Sequence, residues 1–202
     1  MDLLDNLAST ESYPDALKKY GESPKALHWT NYRSTAVRFR ELVADLDVEG
    51  KTILDAGCGM GDLLPFIYAR STNFTYLGVD VTPEFISIAK KRYEGENFKV
   101  FDPFTKNSRE LGNFDIVLSG GVMNANIPNW LEKRQQMIAT LFDRTTEVLA
   151  FNMAGGLGPI PHSKKIAYAN AQDILDFCHT LSQRVIFRSD YHPKDFTIVM
   201  FK

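Results

Sequence analysis

Asp55, Gly57, Gly59 and Gly61 stand at alternate positions in the run Ile53-Leu54-Asp55-Ala56-Gly57-Cys58-Gly59-Met60-Gly61-Asp62-Leu63. An apolar start, an acid, a glycine-rich turn and then Leu63-Leu64-Pro65-Phe66-Ile67 read as strand, turn and helix. Open α/β sheets lay adenosine-containing ligands across such a turn. Glycine turns sharply there and brings no Cβ against the ligand. The spacing also narrows the ligand. A dinucleotide fingerprint places its last glycine where Asp62 stands, so that a pyrophosphate meets a helix N-terminus. Asp62 would repel a pyrophosphate, and Asp55 likewise suits a cationic ligand. No Gly-Lys-Ser/Thr follows, which excludes a Walker loop.

Further acids follow in order. Tyr76-Leu77-Gly78-Val79-Asp80 reads as a short buried strand ending in a carboxylate, with Val81 next. Asp80 lies at the separation, about 20 residues, at which nucleotide-binding folds place a ribose-binding acid. Such a carboxylate accepts from both ribose hydroxyls, at roughly 1.5–3 kcal/mol per charge-assisted bond. A helix cap or solvated strand end is the plainer reading. Thr82-Pro83-Glu84 is a helix start, with a cap, a first-turn proline and an acid. Asp102 precedes Pro103 after Phe98-Lys99-Val100-Phe101, where a turn aspartate is also expected. Phe114-Asp115-Ile116-Val117-Leu118-Ser119-Gly120-Gly121 is another buried strand opening into a glycine turn.

This series resembles the class I S-adenosylmethionine-dependent methyltransferases, whose first motif is hydrophobic-(Asp/Glu)-x-Gly-x-Gly-x-Gly. Asp55 to Gly61 matches it without a gap. The resemblance spans roughly residues 48–202. It implies S-adenosylmethionine as cofactor, held by Asp55, Gly57, Cys58, Gly59, Gly61, Asp80, Val81, Asp102, Ser119 and Gly120. In the family an acid or amide after the third strand receives the adenine amino group, which makes Asp102 the candidate. Many base-modifying members carry Asn/Asp-Pro-Pro-aromatic after the fourth strand. Here stand Ser119-Gly120-Gly121-Val122-Met123-Asn124-Ala125-Asn126, which departs from amino methylation of DNA bases.

The elements that must position these residues alternate. Strands are expected near 51–56, 75–80, 98–101, 114–119, 147–152, 184–189 and 196–201, and helices near 61–70, 83–94, 130–142 and 171–181. Asn129 is the expected cap of the helix at 130–142. Alternation implies a parallel sheet with helices on both faces. The last two strands are too close for a crossover helix and form an antiparallel hairpin. The expectation is therefore an α/β, Rossmann-like seven-stranded sheet, mostly parallel, with a C-terminal antiparallel hairpin. Residues 1–47 form an N-terminal helical cap segment and 48–202 the cofactor-binding domain, one structural domain overall. Ser23-Pro24 opens a short helical piece, and a helix runs from about Asn31 to Asp45. Arg33 and Arg38 lie on that helix, and Arg38 is the candidate for the methionine carboxylate, because a guanidinium fork matches a carboxylate. Surface arginines on an amphipathic helix are the alternative. His28-Trp29-Thr30-Asn31-Tyr32 either lines the substrate pocket or seats the helix.

Composition bounds the rest. A net charge of −2 advertises no nucleic-acid footprint. The acidic Met1-Asp2-Leu3-Leu4-Asp5 is no signal peptide, and no apolar run reaches membrane length. Cys58 and Cys178 form no Cys-x-x-Cys pair and have no metal-ligating company. A cytoplasmic protein with no metal is the simplest reading. Methyl transfer from a sulfonium requires alignment and exclusion of water, and a base only for a protonated acceptor. Asn124, Asn126, Asn152 and His162 are the candidates at strand ends and in the loop after the fifth strand. Tyr191 and His192 join them only if their turn lies at the same sheet end. The expected function is methyl transfer to a small molecule. A non-catalytic cofactor-binding module and an RNA methyltransferase remain the alternatives.

Overall fold

The computed structural model describes residues 12–159, 161, 163 and 165–202, so the expectation placed on His162 lies outside the described residues. The chain begins with α1 (Tyr13–Tyr20), a 3-10 turn (Pro24–Leu27) and α2 (Tyr32–Val43). There follow β1 (Lys51–Ala56), α3 (Leu64–Tyr68), β2 (Phe74–Asp80), α4 (Pro83–Arg92), β3 (Asn97–Val100) and β4 (Phe114–Gly120). The chain closes with α5 (Trp130–Asp143), β5 (Thr145–Gly156), β6 (Ala169–Asn170), α6 (Ala171–Leu181), β7 (Arg184–Arg188) and β8 (Asp195–Phe201).

The strands lie in the order β3-β2-β1-β4-β5-β8-β7. The first five are parallel, while β8 runs antiparallel to both β5 and β7. Strands buried on both faces read as continuous apolar runs, as Ile53-Leu54 and Ile116-Val117-Leu118 do. Successive side chains point to opposite faces. Ile53, Ile116 and Leu118 therefore pack with Phe39, Leu42, Leu64 and Ile86 beneath α2, α3 and α4. Leu54, Val117 and Leu149 pack with Ile138, Leu141 and Ile174 beneath α5 and α6.

The departures from expectation are local. An eighth strand, the two-residue β6, pairs with the end of β5, too short a ladder to show as a period in the sequence. The helix expected over 61–70 is only five residues, because the glycine turn runs on to its start. Asn129 does not cap α5 with its side chain. It sits in the left-handed region at φ 56° and makes no capping bond. Thr82 likewise caps α4 without a side-chain bond, and its own N–H is taken by Asp80 instead. Asn31 does cap α2, accepting from Ser34 N at 2.9 Å.

Candidate functional site

Strand order reverses between β1 and β4, with β2 and β3 to one side and β5 to the other. Ligands of open α/β sheets bind outside the C-terminal strand ends at such a point. A cleft opens there. The turn after β1 forms its floor, with Gly57 at φ +83° and Gly59 at φ +54°. Both are in the left-handed region that favours glycine. A Cβ on Gly57 would stand 2.2 Å from Val122 Cγ2, and one on Gly59 would stand 2.9 Å from Leu27 Cδ2. The turn is thus covered closely, by the loop after β4 and by the N-terminal segment.

Four carboxylates line the cleft: Asp55, Asp62, Asp80 and Asp102. Asp80 closes the end of β2. Its Oδ2 accepts from Gly59 N at 3.0 Å and its Oδ1 from Thr82 N at 2.9 Å. Burial pushes this carboxyl up, and hydrogen bonds from Thr82 (backbone and side chain), Gly59 and Val81 oppose the rise. A carboxylate offers about four lone-pair sites, and this one stands on the cleft with its oxygens ordered by these donors. Asp55, at the end of β1, is 2% exposed and accepts from the Tyr76 hydroxyl at 2.8 Å. Burial pushes its carboxyl up to about 7, against the pull of the Tyr76 bond and with help from the charges of Asp80 and Asp62. Asp62 pairs with Arg92 at 2.8 Å. Asp102 accepts from Phe104 N at 2.9 Å, so the turn role and a place on the cleft coexist. Among the described residues no group of three or more His, Cys, Asp or Glu side chains is placed to hold a metal ion.

Of the positions expected to hold the cofactor, Asp55, Gly57, Cys58, Gly59, Asp80, Val81, Asp102 and Gly120 come together on this cleft. Burial, reinforced by Asp55 and Asp80, pushes the Cys58 thiol up, so it stays protonated and unreactive. Gly61 stands behind the turn, where a Cβ would meet Tyr93 at 2.9 Å and Phe98 at 3.3 Å. Ser119 is fully buried and donates to the Ala56 carbonyl at 3.1 Å, tying β4 to β1.

Arg38 is a correction. It does not line the cleft; its guanidinium is paired with the buried Asp195 and donates to the Ser34 carbonyl at 2.9 Å. A buried charge needs a partner of opposite sign, and each residue supplies the other's. Arg33 is exposed. The Asn124 amide is spent locally, donating to Gly121 O at 3.1 Å and accepting from Ala154 N at 2.8 Å. Asn126 donates to Ser163 O at 3.1 Å. Asn152 is 1% exposed, its side-chain amide has no hydrogen-bond partner among the described residues, and it too stands off the cleft. The turn between β7 and β8 does lie at the ligand end of the sheet, since Asp195 pairs with Ala154 at the end of β5. His192 there contacts Asp195 at 2.9 Å, and Tyr191 shares a 2.9 Å bond with Thr197.

Several lining residues carried no signal as site residues in the sequence. Tyr13 and Leu27 reach the cleft from the N-terminal segment, and Phe85, Phe104, Val122 and Ala125 reach it from loops and helix starts. Burial and the Asp80 charge push the Tyr13 phenol up to about 12, so it remains a donor. Ser12 caps α1, its Oγ accepting from Asp15 N at 3.3 Å. Nothing local says that this helix folds back beside Asp80. Trp29 both lines the cleft and packs edge-on against Phe39 with ring centres 6.0 Å apart, so the two readings of its cluster hold together.

A family profile described as a methyltransferase domain matches residues 54–147. A protein of Mycobacterium tuberculosis, named as an inferred methyltransferase, is 27% identical over 157 residues, 75% of this chain and 93% of its own. Among solved structures, magnesium protoporphyrin IX methyltransferase from Synechocystis with bound S-adenosylmethionine aligns at TM-score 0.61 and 19% identity. That alignment covers 84% of this chain and 78% of the other. A TehB-like S-adenosylmethionine-dependent methyltransferase from Corynebacterium glutamicum aligns at TM-score 0.63 and 17% identity, over 94% of this chain and 97% of its own. Residues 54–147 thus match a methyltransferase domain, and the glycine turn at the sheet's reversal point and the acid ending β2 sit in the fold of the S-adenosylmethionine-dependent methyltransferases that this chain resembles.

Proposed function

We propose that the protein transfers the methyl group of S-adenosylmethionine to a small-molecule acceptor, with the cofactor held by the glycine turn, Asp55, Asp80 and Asp102. The observation that carries this reading is the charge of the cleft. Four carboxylates line it, and no lysine, arginine or histidine does among the described residues. A ligand with an ammonium and a sulfonium suits such walls, whereas a dinucleotide's two phosphates would meet like charge. A phosphodiester chain would also require cations to neutralise it, so the same walls speak against RNA.

The roles follow from position. Asp80, at the end of β2 on the cleft wall, takes the ribose hydroxyls. Asp102 faces the adenine, and Asp55 holds the ammonium. The described part of the N-terminal segment, residues 12–47, acts as the cap, of which Tyr13, Leu27 and Trp29 reach the cleft. The cofactor supplies a methyl carbon already activated by its sulfonium. The chain's own residues bind, orient and exclude water. Among the described residues no helix is long and apolar enough to cross a membrane.

Calorimetric titration tests the reading. S-adenosylmethionine and S-adenosylhomocysteine should bind at micromolar or tighter affinity and NAD should not. Binding of NAD in their place would overturn it. Binding of both sulfur compounds with no methyl transfer to any of a broad set of small acceptors would favour a regulatory module.

Asp55 adds a pH signature. Its folded-state value near 7 stands above the ordinary carboxylate value of about 3.9. In the ligand-free protein the stability it contributes is complete below the unfolded value and is lost as pH rises toward 7. A bound ammonium favours the ionised form, so cofactor affinity moves the opposite way. It should rise about fivefold from about pH 6 to pH 7, with proton release on binding at the lower pH. Asp55→Asn should flatten the profile. Calorimetry in two buffers of different ionisation enthalpy reads the proton directly, and a flat wild-type profile would remove Asp55 from the ammonium's neighbourhood.

A further inference from the structure

The two sides of the cleft differ in chemistry. Asp80 and Asp102 stand on the β2–β3 side, and Asp55 stands in the middle at the end of β1. The β4 side is walled by Trp29, Phe39, Gly120, Gly121, Val122 and Ala125, with no titratable group among the described residues. If the cofactor occupies the carboxylate side, as the functional reading on which this inference rests requires, the apolar β4 side is left for the acceptor.

Trp29 is the largest surface there, and it is held before any ligand arrives. Its ring lies so close over the turn after β4 that a Cβ on Gly121 would stand 2.5 Å from both Cη2 and Cζ2. Gly121 has φ +74°, so glycine is favoured there on backbone grounds as well. The Arg38 guanidinium lies 5.1 Å from the indole centre, and Phe39 meets it edge-on. Arg38 is in turn fixed by Asp195 at the start of β8. A pre-positioned aromatic wall costs little ordering on binding and presents a flat apolar face.

We propose that this wall selects an acceptor with a flat apolar body, neutral or cationic, that presents a nitrogen or sulfur lone pair bearing no proton to be removed. An anionic acceptor would share the cleft with the carboxylates of Asp55, Asp80 and Asp102, and the β4 side offers no base among the described residues. In the transfer, the acceptor's lone pair forms the new bond to the methyl carbon. The sulfur–methyl bond breaks, and its electron pair returns to sulfur, leaving a neutral thioether. The positive charge passes from sulfonium to acceptor and stays beside the same carboxylates. No proton moves.

The test uses the full chain saturated with S-adenosylhomocysteine and two probes sharing one ring system, isoquinoline and isoquinoline-5-sulfonate. Calorimetry should show isoquinoline binding at least tenfold more tightly than the sulfonate. Trp29→Ala should weaken isoquinoline binding tenfold or more, while affinity for S-adenosylhomocysteine falls by less. Trp29→Phe should restore most of the probe affinity, which a general loss of folding would not allow. Equal or tighter binding of the sulfonate overturns the proposal, as does unchanged affinity in Trp29→Ala or no binding of isoquinoline to the loaded protein. Failure of the wild-type protein to bind S-adenosylhomocysteine is a distinct result: it removes the functional reading first, and the acceptor assignment falls with it.

Discussion

Gly59→Val is expected to abolish cofactor binding, a loss of more than a hundredfold. Three effects converge on this position. Gly59 has φ +54°, and a β-branched residue in the left-handed region is a genuine outlier, costing about 1–3 kcal/mol. A Cβ would also press on Leu27 Cδ2 at 2.9 Å. Leu27 can yield, but Gly59 lines the cleft, so the branched side chain and the displaced leucine crowd the ligand's space. Last, the Gly59 N–H is one of the backbone donors that hold the Asp80 carboxylate. Moving the turn therefore disturbs the acid as well as the floor. Calorimetry with S-adenosylmethionine reads the loss, and circular dichroism shows whether the sheet survives. Binding within threefold of wild type would mean that this turn is not the cradle.

Asp80→Ala should weaken the cofactor by at least tenfold with the fold intact. Two charge-assisted bonds to ribose hydroxyls, each worth roughly 1.5–3 kcal/mol, would vanish together. The side chain also accepts from Gly59 N and Thr82 N, so alanine loosens the turn as well as removing the ribose acceptor. Asp80→Asn separates these effects. Its amide oxygen can keep one backbone bond, but it lacks the charge and half of the acceptor capacity. Asparagine should therefore retain the thermal midpoint better than alanine while still losing most of the affinity. Wild-type affinity in Asp80→Ala would sink the ribose assignment.

Much of the cleft floor was legible because its determinants are local. A glycine turn after an apolar strand needs no distant partner to be recognised, and an acid at the end of the next strand follows from the chain's own period. The prediction for Arg38 went astray for the opposite reason. Its partner, Asp195, lies on the last strand, and no local pattern says that a helix near the N-terminus will meet it. Asn124 and Ser119 behave similarly: suitable types in suitable segments, consumed by backbone carbonyls and amides of the adjoining loop and strands. Asn129 and Thr82 were reasonable caps by type, but their backbone geometry directs the hydrogen bonds elsewhere.

By itself the sequence determined the α/β class, the parallel sheet with its antiparallel end and the glycine turn, since each rests on periodicity and spacing within a few dozen residues, and the cofactor was implied by the family resemblance that those motifs carry. Only the tertiary structure decided what faces that cradle. It brought Tyr13, Leu27 and Trp29 over the turn from the N-terminal segment, gathered four carboxylates without a cation among the described lining residues, and left the β4 side apolar. The physical reason is that the character of a cleft is set by packing between segments far apart in the chain. The burial that lifts the Asp55 carboxyl to about 7 likewise exists only once β1, β2 and the glycine turn have closed around it.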